Sequence, residues 1–146
     1  MTQNTWGWSD RLNLSYAPMD DIHHEFVELC AALSENNPAT FIQRLDALIA
    51  HSIEHFEQEN RWMEETAFPP AGCHRQEHEA VLEVMREVRR RVEEEGDNEL
   101  AARLAEELPH WFEHHVDTMD NMLAQFLINN QLAGKEEGKL SASLAG

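Results

Sequence analysis

Cysteine is scarce in this chain: Cys30 and Cys73 are the only two. That excludes the disulfide framework of small secreted domains and predicts a reducing, cytoplasmic setting. Long apolar runs are missing as well, and no stretch approaches the ~20 residues that a membrane span requires. The opening run Met1-Thr2-Gln3-Asn4-Thr5-Trp6 has neither the basic nor the apolar part of a secretory signal. Basic residues are few, with 11 Lys and Arg against 28 Asp and Glu and a net charge of −17. Nucleic acid and anionic membranes are bound by Lys and Arg that displace counterions, so this sign argues against both as main partners. It suits a basic protein partner, or solubility alone. No useful stretch alternates apolar and polar residues with period two, so no sheet is expected. What remains is an ordinary globular balance, 42% hydrophobic and 27% charged over 146 residues, enough for one domain with a sizeable core.

Glycine, proline, asparagine and aspartate gather at three places. These are Asn36-Asn37-Pro38-Ala39-Thr40, Phe68-Pro69-Pro70-Ala71-Gly72 and Glu95-Gly96-Asp97-Asn98. Such clusters stop helices and set turns. Four segments with helical spacing lie between them. Their apolar seams run His23, Phe26, Cys30, Leu33; then Phe41, Leu45, Leu48, Ser52, His55, Glu59, Met63, Thr66; then His74, His78, Val81, Met85, Val88, Val92; then Leu100, Leu104, Leu108, Trp111, His115, Met119, Met122, Phe126. Thr40 with Gln43 reads as a capping box for the second helix, and Asp97 or Asn98 can cap the fourth. Pro109 is expected to kink or interrupt the fourth helix before Trp111. Short links between long helices favour antiparallel neighbours. The expected fold is therefore all-α, an antiparallel up-down-up-down four-helix bundle. It occupies residues 1–132, with an aromatic N-terminal arm at 1–18 and a flexible C-terminal tail at 133–146.

Six ionisable side chains fall on these seams: His23, His55, Glu59, His74, His78 and His115. Burying such groups without partners is costly, and a metal centre removes the cost by turning each lone pair into a bond. His55 with Glu59 and His74 with His78 are spaced i,i+4, so each pair shares one helix face. A carboxylate can bridge two ions, and five imidazoles exceed what one tetrahedral ion takes, so the count points to two metals. A lone His-x-x-x-His pair is weak evidence, and His51/His55 and His110/His114 are further examples. His24, His51, His110 and His114 lie off or beside the seams and read as solvated groups or neighbours of the ligands. Cys73 is turned about 100° from His74 on a helix and reads as a loop thiol.

The runs Asp20-Asp21-Ile22-His23, His55-Phe56-Glu57-Gln58-Glu59 with Met63, His74-x-x-x-His78, and Trp111-Phe112-Glu113-His114-His115-Val116 with Asp120 resemble the hemerythrin signature. Trp6 is similar to the arm tryptophan of bacterial members. The resemblance implies a non-haem di-iron centre that binds O₂ reversibly, for storage, delivery or sensing. One iron would be held by His74, His78 and His115 and the other by His23 and His55. Glu59 and Asp120 would bridge them, together with an oxo or hydroxo group. Asp120 rests on the resemblance alone, because five residues past His115 is about 140° round an α-helix. Asp117 is a lower-ranked competitor. A dry O₂ pocket is expected from Phe26, Phe56, Trp111, Phe112 and Val116. A protein partner for O₂ delivery or signalling is compatible with this reading. The alternative is a di-iron enzyme that consumes peroxide or NO; a purely structural or zinc-binding bundle is the third reading. The chain departs from the family pattern at Asn60, where a second Glu is usual, at Ser15, often Gly, and at Phe112, commonly Leu.

Overall fold

The computed structural model describes residues 6–34 and 37–130. Four helices carry the fold: α1 (Ala17–Ala32), α2 (Pro38–Glu65), α3 (Ala71–Glu95) and α4 (Asn98–His115). No strand occurs among the described residues. Each helix packs on the next, and α1 also packs on α4, so the four close into a ring. The short links make successive helices antiparallel. The expected tail, 133–146, lies outside the described residues.

The N-terminal arm is fastened rather than loose. It forms a single 3₁₀ turn at Asp10–Leu12, and it buries Leu12, Leu14 and Tyr16. The Asp20 carboxylate accepts the backbone N–H groups of Leu14 at 2.9 Å and Tyr16 at 3.1 Å, tying the arm to the first turn of α1. That helix opens at Ala17, so Pro18 lies within its first turn and not at the end of the arm.

α2 starts two residues before the expected capping box. Asn37 is the cap, its side-chain oxygen accepting from the Ala39 N–H at 3.1 Å, and Thr40 lies inside the helix. Pro38 decides this, since a residue without an N–H suits the first helical position. Asp97 caps α4 by accepting from the Leu100 N–H at 3.0 Å. Pro109 does not break α4, which runs on to His115. Pro109 is itself buried against the bundle, and packing overrides its local preference.

The irregularity comes later. Residues Val116–Asp120 form a π-helical turn, closed by the Asn121 N–H bonding to the Val116 carbonyl. The α-helix resumes over 121–130. The turn inserts one residue into the helix, and the buried seam slides by one position. From its last residue onward the buried positions are Asp120, Leu123, Ala124 and Leu127. The expected continuation through Met119, Met122 and Phe126 is not observed: Met122 is 57% exposed and the other two are half-buried. Every seam residue expected on α1 is buried, as are those on α3 and, up to Met63, on α2.

Candidate metal centre

The seam carries His23 from α1, His55 and Glu59 from α2, His74 and His78 from α3, and His115 from α4, with Asp120 at the end of the π turn. All seven side chains are at most 2% exposed. Their polar ends meet. Glu59 Oε2 lies 2.6 Å from His55 Nε2 and 3.4 Å from His23 Nε2. Its other oxygen lies 3.1 Å from His78 Nε2 and 3.4 Å from His74 Nε2. Asp120 Oδ1 lies 3.0 Å from His74 Nε2 and 3.1 Å from His115 Nε2, while Oδ2 lies 3.2 Å from His23 Nε2. Two groups emerge, Glu59 with His74, His78, His115 and Asp120, and Glu59 with His23 and His55. Within each group the ligand atoms lie within 4.8 Å of one another. Both carboxylates touch both sets of imidazoles.

This convergence is poor hydrogen bonding and good metal chemistry. His74 Nε2 faces His115 Nε2 at 3.2 Å, and at most one of two such nitrogens can usefully donate to the other. His78 Nε2, Glu59 Oε1 and Asp120 Oδ2 are buried without a properly aligned partner. A cation between them would take up each of these lone pairs. The imidazoles and carboxylates also shift one another's proton affinity. Burial lowers His23 and His74, but hydrogen bonds to Asp120 and Glu59 outweigh it and raise them to about 10 and about 9. Burial pushes both carboxyl groups up, and for Asp120 the charge of Glu59 adds to it. His55 for Glu59 and His115 for Asp120, followed by the imidazole hydrogen bonds, hold the two well below the usual carboxylate range. Burial keeps His78 below its ordinary value.

The π turn is what brings Asp120 into the cluster. In a π turn, with its i→i+5 bonding, five residues make roughly one turn, so Asp120 sits nearly above His115 and points inward. Asp117, the lower-ranked competitor, is exposed and pairs with Arg11 at 2.5 Å.

The sequence matches the hemerythrin HHE cation binding domain over residues 14–127. It is 46% identical over 130 residues to a bacteriohemerythrin of Ralstonia nicotianae, covering 89% of this chain and 94% of that one. The chain belongs to the hemerythrin family. A bacteriohemerythrin of Stenotrophomonas maltophilia is 25% identical over 121 residues, covering 80% of this chain and 78% of that one. In fold the chain is similar to a solved wild-type hemerythrin, with a TM-score of 0.76 at 20% identity, covering 84% of this chain and 98% of that one. A solved leucine-to-alanine variant of hemerythrin gives the same score, at 20% identity over 84% of this chain and 97% of that one.

Of the five residues expected to form a dry pocket, four pack on ligand imidazoles, and Phe56 touches one from each set. Phe112 stacks on Phe26 at 4.3 Å and meets His23 edge-on at 5.3 Å. Phe56 stacks on His78 at 4.0 Å and lies 5.1 Å from His55. Trp111 is half-buried and stacks on His115 at 4.7 Å. Val116 is fully buried at the start of the π turn. Aromatic faces laid on imidazoles hold the rings at a fixed tilt and keep water from their edges.

Glu77 is a residue that sequence reasoning missed. Its carboxylate accepts from His115 Nδ1 at 2.8 Å, which turns the Nε2 lone pair of His115 toward Asp120. It sits one residue before His78 on the outer side of α3, in a chain rich in Glu, and nothing in the spacing singles it out. Of the remaining histidines, His24, His110 and His114 are exposed and His51 is half-buried. His24 stacks on Trp8 at 3.5 Å, and half-buried His51 lies 3.5 Å from Glu25. Cys73 is not on a loop: it is exposed in the first turn of α3 and, with Met119 and Met122, lines a cavity of about 110 Å³ beside His74. Asn60 falls outside both ligand groups.

Proposed function

We propose that this protein binds O₂ reversibly at a non-haem di-iron centre, without turnover. One observation carries the reading: five imidazoles and two carboxylates from all four helices converge, fully buried, with their lone pairs facing one another. Two iron ions bridged by Glu59, Asp120 and an oxo or hydroxo group would supply the electrons that hold O₂. His74, His78 and His115 would hold one ion. His23 and His55 would hold the other, which leaves that ion with fewer protein ligands and room for an exogenous one.

The protein's own part is to position and to exclude. Glu77 orients His115. Phe112, packed on His23, and Phe26, stacked on Phe112, exclude water from that side of the cluster. A dry site disfavours proton-assisted loss of the bound gas as a reduced product, which favours a binder over a peroxide- or NO-consuming enzyme. Free Cys30 and Cys73, and the absence of any helix long and apolar enough to cross a membrane among the described residues, support a cytoplasmic setting.

Metal analysis with an optical spectrum, anaerobic and then in air, tests the proposal. The expected result is two irons per chain and a visible band that appears with O₂ and disappears on degassing. Many turnovers of peroxide or NO per chain would replace the binder with an enzyme. Zinc, or no metal in a fully folded protein, would overturn the di-iron centre.

A further inference from the structure

The N-terminal arm meets the outer side of helix α4 where its hydrogen bonding changes from α to π. Trp6 Nε1 donates to Glu113 Oε1 at 2.8 Å. The Arg11 guanidinium reaches Glu113 at 3.5 Å and Asp117 at 2.5 Å. Glu113 belongs to the last turn of α4, and Asp117 is the second residue of the π turn. These contacts therefore bridge the junction from outside, while Asp120 closes the same turn from inside. Trp6 also meets Phe112 edge-on at 6.5 Å, so the arm reaches the wall of the proposed pocket.

An inserted residue in a helix has no intrinsic home. A widened hydrogen bond one position along the helix would rotate the side chain it passes by about 100°. In this chain the residue that such a shift would rotate is Asp120. On the outer side two sets of contacts span the junction between His115 and Asp120: the Thr118 hydroxyl, which donates to the His114 carbonyl at 2.7 Å, and the residues of the arm.

We infer that the arm, chiefly through Arg11, is a positioning clamp that fixes the π turn in register and so aims Asp120 at the metal centre. Arg11 is a positioning residue and touches neither ligand set. Its side chain is 61% exposed, and ion pairs of that kind add little to global stability. Its effect belongs in metal retention instead.

This inference rests on the proposed metal centre, and its test separates the two. The wild-type protein is loaded with iron and challenged with an excess of iron(II) chelator. Failure to retain two irons there would count against the centre itself. Given retention, Arg11→Gln is expected to lose iron several-fold faster, the scale that two exposed ion pairs allow. Arg89→Gln, which removes an exposed arginine paired with Asp46 and Glu93 far along the bundle, is expected to match wild type.

The decisive comparison uses a chain with Thr118 deleted, which leaves no inserted residue to hold. There Arg11→Gln is expected to change nothing. An equal effect of Arg11→Gln in both backgrounds, or no effect in either, would overturn the clamp. Amide exchange of the iron-loaded protein gives a readout other than iron release: Arg11→Gln should speed exchange at residues 116–121 and leave α2 and α3 unchanged. Uniform acceleration, or none, would overturn it as well.

Discussion

Ala67 holds its backbone at a φ of +53°, in the left-handed region that residues with a β-carbon avoid. It sits just past α2, where the Phe68 N–H bonds to the Met63 carbonyl and the Ala67 N–H to that of Glu64, the pattern in which glycine is the usual occupant. Its side chain is exposed, so removing it costs no packing. Ala67→Gly is expected to stabilise the fold by about 0.5–1 kcal/mol, the left-handed strain less the added freedom of glycine in the unfolded chain. Thermal or urea unfolding decides it, and a destabilised variant would contradict the assignment. Ser15, at a φ of +58°, is a second such position. Phe112 poses a different question. It is wedged between Phe26 and His23 with 1% exposure, and Phe112→Leu leaves an unfilled volume at a cost of about 1 kcal/mol. The variant is expected to keep two irons per chain and to change the rates of O₂ exchange and autoxidation. Unchanged rates would remove Phe112 from the pocket.

The last helix is where an element's geometry governs the site. If the π turn is one residue inserted into an α-helix, deleting Thr118 restores regular bonding and leaves Asp120 four residues after His115, still on the inner face. That variant is expected to keep its helicity and its metal. Adding one alanine after Thr118 instead turns Asp120 and everything beyond it by about 100°, burying Met119 and Met122 in place of Asp120 and Leu123. It is expected to lose metal and to unfold at a lower temperature. Circular dichroism and metal content on the two variants settle the point, and loss of metal from the deletion would show that the widened turn does more than insert a residue. Asp120 could not be read from periodicity for this reason. A fixed step of 100° per residue carries no provision for a π turn, and every seam residue expected after Val116 was displaced by one. Upstream, where α2 and α3 are regular, the same arithmetic places His55, Glu59, His74 and His78 correctly.

For the molecule as a whole, the centre is a cross-link as much as a site. Each of the four helices contributes at least one of the seven converging side chains, so the proposed metal pair would join them all. Metal binding and folding are then linked. His78→Ala is expected to lose iron and to destabilise the protein by about 3–5 kcal/mol, because Glu59 is left buried without full compensation. Wild-type iron content with an unchanged melting temperature would contradict it. Glu77 illustrates what remains hidden at this scale. Its partner, His115, is 38 residues away in the chain, and only the packing of α3 against α4 joins them.

The amino-acid sequence by itself determined the four helices, their links and six of the seven inward-facing polar groups, because burial on a regular helix repeats with a period that can be counted. The tertiary structure decided what that period does not contain. It set the inward turn of Asp120, the partner of His115 and the seat of the arm across the α-to-π junction. Each of these is a contact between distant segments, or a local distortion that such contacts hold in place. Such contacts form when helices pack, and spacing along the chain does not record them.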